Sequence, residues 1–182
     1  MDRRRAPRTN PRSGPLWCVG ALLFAALFAG AVGAQAADTE PAPPPDAVAV
    51  REVQAGGVQV YGCRRAADGS FAWTLIGPKA LLVNDDGSDF GTHSAGPTWT
   101  AADGSTITAD GAHPLQKIDR PQSVPALLLR VTTRNGNGAL SGIRFVRRSD
   151  TEGGLPPSTG CDAAHLDATT ASHYSAIYTF YR

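Results

Sequence analysis

Tyr174-Ser175-Ala176-Ile177-Tyr178-Thr179-Phe180-Tyr181, the run that precedes the final Arg182, alternates with a period of two. In an extended chain Tyr174, Ala176, Tyr178 and Phe180 fall on one face, and Ser175 and Thr179 on the other. That is the pattern of a β-strand with one side against a core. Similar runs recur upstream at 58–64, 71–76, 80–83, 98–101, 105–108, 126–133 and 140–147. In the last of these, Ile143 and Phe145 are in phase and oppose Gly142 and Arg144. The 126–133 run is continuously apolar through Leu127-Leu128-Leu129 and reads as a central strand buried on both faces. Asp68-Gly69, Asp86-Gly87, Asp103-Gly104, Asp110-Gly111 and Asn135-Gly136 supply turn dipeptides between them. No segment keeps a helical period over a dozen residues, and 14 Pro with 20 Gly argue against long helices. The predicted class is all-β, an antiparallel sandwich or barrel, and the pattern does not choose between the two.

The start of the 182-residue chain reads differently. Arg3, Arg4, Arg5, Arg8 and Arg12 form a basic region, an apolar stretch spans residues 16–32, and Ala34-Gln35-Ala36 offers the small residues of a cleavage site. Residues 1–36 therefore read as a secretory signal peptide. An uncut membrane anchor is the alternative, but 17 apolar residues rich in Ala and Gly are short for a spanning helix. Residues 37–46, with Pro41, Pro43, Pro44 and Pro45, read as an extended, solvated linker. A single β-rich domain is expected over 47–182. The expected location is outside the cytoplasm, periplasmic or extracellular, with no stable membrane anchor after cleavage.

Removal of the signal changes the charge. The whole chain is formally +1, but five Arg and one Asp leave with residues 1–36, so 12 basic and 15 acidic residues remain, net −3. A mildly acidic domain has no electrostatic footprint for nucleic acid, and that class of partner is excluded from the reading. Of the three cysteines, Cys63 and Cys161 lie in the exported part. An even pair in an oxidising compartment reads as a disulfide, the alternative being two separate buried thiols. The Gly- and Pro-rich stretch 149–172 then becomes a long loop tied down by that bond.

The densest chemistry lies in Gly91-Thr92-His93-Ser94-Ala95-Gly96-Pro97-Thr98-Trp99, followed by Asp103-Gly104-Ser105. Together with Tyr61, Cys63, Trp73, Gly77-Pro78, Pro125, Leu127-Leu128-Leu129, Arg147, Thr151, Gly153-Gly154, Pro156, Cys161 and the closing aromatic run, it resembles the domain-of-unknown-function 3455 family over nearly the whole exported part. The resemblance implies a secreted domain of bacteria and fungi without an established activity. Some fungal members carry a malate dehydrogenase label, but no Gly-x-Gly-x-x-Gly loop follows a strand here. Against the family pattern, Ser94 stands where an aromatic is usual and Ala126 where a Trp is usual; both remove aromatic surface.

The candidate ligand-binding residues are His93, Trp99, Asp103 and Ser105, presented on a recognition loop spanning 91–105. His93 is a potential ligand, base or metal donor, or a ring that pins a loop through backbone bonds. Trp99 suits stacking on a ring or sugar, or a core position on a strand. Asp103 suits a turn that accepts nearby N–H groups. The sequence Gly-Thr-His-Ser-Ala-Gly misses a nucleophile elbow, because Thr92 stands where Gly is required and Pro97 follows. His93, His113, His165 and His173 have no metal-site spacing, and the acidic 84–89 segment lacks the pattern of an EF-hand and reads as a hairpin turn. Neither a metal nor a cofactor is called for. Arg147 and Arg148 read as solvated or paired with Asp150 or Glu152. The reading is a secreted domain that binds a small molecule, glycan or cell-surface component without catalysis. A hydrolytic or metal-dependent enzyme using His93 and Asp103, and a structural envelope protein, are the alternatives. N-terminal sequencing of the exported protein should begin at or near Ala37; recovery of Met1 would refute the signal reading.

Overall fold

The computed structural model describes residues 40–182. The signal segment expected over 1–36, and residues 37–39, lie outside them. Nine strands follow in chain order: β1 (Ala49–Arg65), β2 (Phe71–Val83), β3 (Asp89–Ser94), β4 (Thr98–Ala101), β5 (Thr106–Ala109), β6 (Gln116–Arg120), β7 (Ser123–Asn135), β8 (Phe145–Gly153) and β9 (Thr169–Tyr181). Every pairing is antiparallel, in the order β5-β4-β3-β2-β1-β9-β8-β7-β6, and a further β5–β7 ladder joins the ends. The sheet thus closes in a ring, and of the two architectures expected it is the barrel. One edge of β7 is divided: residues 123–128 pair with β6 and 131–135 with β5, while the other edge pairs with β8.

The alternating positions of β9 behave as their spacing requires. Tyr174, Ala176, Tyr178 and Phe180 all enter the core. β7 is buried on both faces, with Leu129 and Val131 in the barrel and Leu128 in a separate outer cluster with Phe145 and Tyr181. Three hairpins use the same device. In each Asp-Gly-Ser turn the Asp Oδ1 accepts from the Ser amide and hydroxyl, Asp68 with Ser70, Asp86 with Ser88 and Asp103 with Ser105. The side chain thereby mimics a backbone turn and sets the hairpin register.

Several expectations are corrected. The 71–76 and 80–83 runs form one continuous strand through Gly77-Pro78, with Ile76 of β2 bulged where the register shifts between Val60 and Tyr61 of β1. The supposed recognition loop 91–105 is mostly sheet, in β3, β4 and the β4–β5 turn. β3 and β6 were not foreseen. The 140–147 run is not a strand from its start: β8 begins at Phe145, while Leu140 and Ile143 belong to a loop that is fully buried at these side chains. Its phase is also reversed, since Val146 faces the core and Phe145 the outer cluster. Part of the Pro-rich stretch is packed down: Pro41 is fully buried, Ala42 exchanges two hydrogen bonds with the Gln116 amide, Glu40 pairs with Arg120, and Ala47 covers the outer cluster.

The loop between β8 and β9 crosses beside the β1–β2 hairpin. Cys63 and Cys161 form a disulfide with Cα atoms 5.3 Å apart, Trp73 Nε1 donates to the Thr159 carbonyl at 2.9 Å, and Tyr61 Oη donates to the Gly154 carbonyl at 2.6 Å. The bond spans 98 residues of sequence, for which chain entropy gives about 4–5 kcal/mol. Reduction, or the Cys63→Ala/Cys161→Ala pair, should lower Tm by about 10–20 °C in thermal unfolding; an unchanged Tm would show that the bond adds nothing to the folded state.

Candidate functional site

The inside of the barrel divides into two halves along its axis. At one end Val53, Leu82, Phe90, Ile107, Val146 and Phe180 pack together, and Leu140 and Ile143 from the β7–β8 loop are buried with them. Towards the opposite end the core continues through Trp99, Leu129, Val124, Tyr174 and Tyr178. Beside it lies a half-open cavity of about 890 Å³, within the range of small-molecule sites. Its wall takes Gln59 and Tyr61 from β1, His93 from β3, Trp99 from β4, Leu127 and Leu129 from β7, Arg148 from β8 and Tyr178 from β9. Leu75 and Ile76 line it too and remain 54% and 48% exposed, so part of the lining is apolar surface in contact with solvent.

Two of the four sequence-derived candidates belong to this wall. His93 pairs with Trp99 across the β3–β4 ladder, and the two rings stack with centroids 4.4 Å apart and planes 10° apart. Tyr178 meets both edge-on, at 4.9 Å from His93 and 5.5 Å from Trp99. His93 Nδ1 lies 2.9 Å from the Thr98 carbonyl. A carbonyl only accepts, so Nδ1 carries the proton and the neutral ring leaves Nε2 as an acceptor. Burial pulls the His93 pKa down to about 4; the Thr98 bond opposes this and the charge of Arg148 adds to it. The ring is therefore neutral at physiological pH, both a backbone pin and a wall of the cavity.

Asp103 and Ser105 are elsewhere. They stand at the β4–β5 turn, the opposite end of β4 from the His93 pairing. The Asp103 carboxylate accepts from Ser105 N at 2.9 Å, Ser105 Oγ at 2.6 Å and Ala139 N at 2.7 Å, while Ser105 Oγ accepts from Leu140 N at 3.1 Å. The Ser105 hydroxyl, then the Ala139 and Ser105 amides, hold its carboxyl below the usual range. This pair latches the loop carrying Leu140 to the barrel. It has the chemistry of the other two Asp-Gly-Ser turns plus that latch, and it does not meet His93.

The sequence reading passed over Gln59, Tyr61, Tyr178 and above all Arg148. Arg148 pairs with Tyr178 and Leu127, both inward-facing, so it points into the barrel. Its Nε and Nη2 donate to the Pro125 carbonyl at 3.0 and 2.8 Å. The expected pairing with Asp150 or Glu152 does not occur; Arg147, on the outer face, approaches Glu52 at 3.9 Å and donates to Thr179. The charge of Arg148 also reaches Tyr61 and Tyr174, whose hydroxyl pKa values are nonetheless raised, chiefly by burial. On the same wall, Gln59 Nε2 and Trp99 Nε1 are buried with no protein hydrogen-bond partner. The signal that would have found Arg148 was the strand phase of β8.

The buried ring predicts acid sensitivity. Unfolded, His93 titrates near its model value of 6.5; folded, near 4. The unfolded chain binds the extra proton first, so this stabilisation is complete above pH 6.5 and is lost as pH falls towards 4, about 3 kcal/mol in all. In urea unfolding across pH 7 to 4, His93→Gln should start less stable than the parent and show a correspondingly flatter pH dependence. An identical slope in both proteins would mean that His93 is protonated in the fold.

A family model described as "Protein of unknown function (DUF3455)" matches residues 43–182. No curated protein and no solved structure matches the chain. The match covers all nine strands, the cavity wall and the disulfide-tethered loop, and on that extent the chain belongs to the DUF3455 family of proteins of unknown function.

Proposed function

We propose that this domain is a non-catalytic binding protein that takes a small molecule into the half-open cavity at one end of its barrel. The observation that carries the reading is the 890 Å³ cavity itself. A half-open cavity of this size, walled by aromatic and aliphatic side chains with a few polar groups among them, has the composition of a ligand site. Glycan or cell-surface ligands, considered from the sequence, would need stacking rings on an open face. Here His93 and Trp99 are buried and stacked on each other, which favours a ligand that enters the barrel. The reading also has the domain exported, to the periplasm or the cell exterior. The Cys63–Cys161 disulfide supports that, since such bonds persist in oxidising compartments.

The test uses N-phenyl-1-naphthylamine, a neutral apolar dye that brightens when it leaves water. Saturable binding at one dye per chain is expected. Leu127→Trp, which fills the cavity from the half-buried wall of β7, should weaken it at least about tenfold, with Leu129→Phe as a milder filling. Binding that is non-saturable, or that ignores both substitutions in folded protein, would overturn the proposal and favour a purely structural envelope role.

A further inference from the structure

The cavity holds an uncompensated cation. Arg148 faces inward between Leu127 and Tyr178, and its guanidinium spends two N–H groups on a single carbonyl oxygen, that of Pro125. No carboxylate among the described residues pairs with it. Arg148 is half-buried and, as an arginine, stays charged. Its free N–H groups are positioned for an anion that occupies the cavity.

We infer that Arg148 is the anchor for a carboxylate on an apolar body, bound with its acid group inside the barrel. This rests on the cavity-binding reading above and specifies its ligand. The remaining lining restricts the charge to one. Lys117, the other cation of the lining, is already paired with Asp119 at 2.8 Å. Asp110, the carboxylate of the lining, is turned into its own loop, accepting from the Ala112 and His113 amides and lying 3.1 Å from the His113 ring. A single free cation with a carboxylate at the same cavity suits a monoanion and disfavours a di- or triphosphate. Planar, forked N–H groups match a carboxylate in particular. The protein has already stripped part of the water from Arg148, so that cost is met on folding, and the ion pair forms where screening is weak. A wholly neutral apolar ligand would leave the cation covered and unpaired.

Displacement of N-phenyl-1-naphthylamine at pH 8 by dodecanoate and by dodecanol, below their aggregation limits, separates the two levels. The parent should bind dodecanoate at least about tenfold more tightly than dodecanol. Arg148→Met should erase that preference while still binding dodecanol, and Arg148→Lys should keep part of it, which controls for a folding defect in the methionine variant. Equal affinity of the parent for acid and alcohol, or a preference that survives Arg148→Met, overturns the carboxylate anchor and leaves the cavity reading standing. If neither compound nor the dye binds, both readings fall.

Discussion

The β5–β7 ladder is the contact on which the rest of this domain depends. Without it the nine strands would form an open sheet with β5 and β6 at its edges, each edge exposing a row of unpaired backbone groups. With it, the C-terminal part of β7 pairs with β5 and the sheet becomes a ring. An all-antiparallel ring closes only on an even number of strands. Here β1 to β5 and β7 to β9 make eight, and β6 takes the length of β7 that β5 leaves uncovered. The inner face then has no escape: whatever the strands point inward must pack together or surround a space.

Both outcomes occur, at opposite ends. Where the inward residues are branched aliphatics and phenylalanine, and the β7–β8 loop adds Leu140 and Ile143, the interior is filled. The Asp103–Ser105 latch matters there, because it holds the amides of Ala139 and Leu140 and so keeps that loop in place. At the other end the inward positions are occupied by Gln59, Tyr61, His93, Arg148 and Tyr178, which line the cavity. The ring stacking of His93, Trp99 and Tyr178 forms the boundary between the two regimes. An interior of this kind is costly for a stability-only design, since buried polar atoms without partners weaken a fold. Of the buried atoms without partners, Gln59 Nε2 and Trp99 Nε1 lie on the cavity wall, while Arg147 Nε and Ser149 Oγ belong to residues outside its lining.

The disulfide and the hydrogen bonds near it act at the cavity end. Leu155, which lines the cavity, follows directly on Gly154, whose carbonyl receives the Tyr61 hydroxyl, and the loop is held again at Thr159 and Cys161. Three attachments between Gly154 and Cys161 keep the loop beside the β1–β2 hairpin, so that the cavity keeps a constant wall on that side.

The sequence by itself determined the class of the fold. Period-two alternation in β9, the three-leucine run of β7 and the Asp-Gly turns are local properties, set by strand geometry and backbone preference within a few residues, and the structure keeps them. The disulfide was one of two readings of the Cys63 and Cys161 pair, and the structure forms it. His93 and Trp99 were legible as unusual residues, though not as neighbours on a cavity wall. What only the tertiary structure decided was closure of the ring, the existence of β3 and β6, and which residues face inward. A strand presents opposite faces at successive residues, so a phase taken one residue out at 140–147 sends Arg148 to solvent when it belongs in the barrel. Local sequence around Phe145-Val146-Arg147-Arg148 is compatible with either phase. The choice is made by pairing with β7 and β9, partners some 20 and 30 residues away, because only that register puts Val146 against Phe180 and leaves Phe145 to the outer cluster under Ala47.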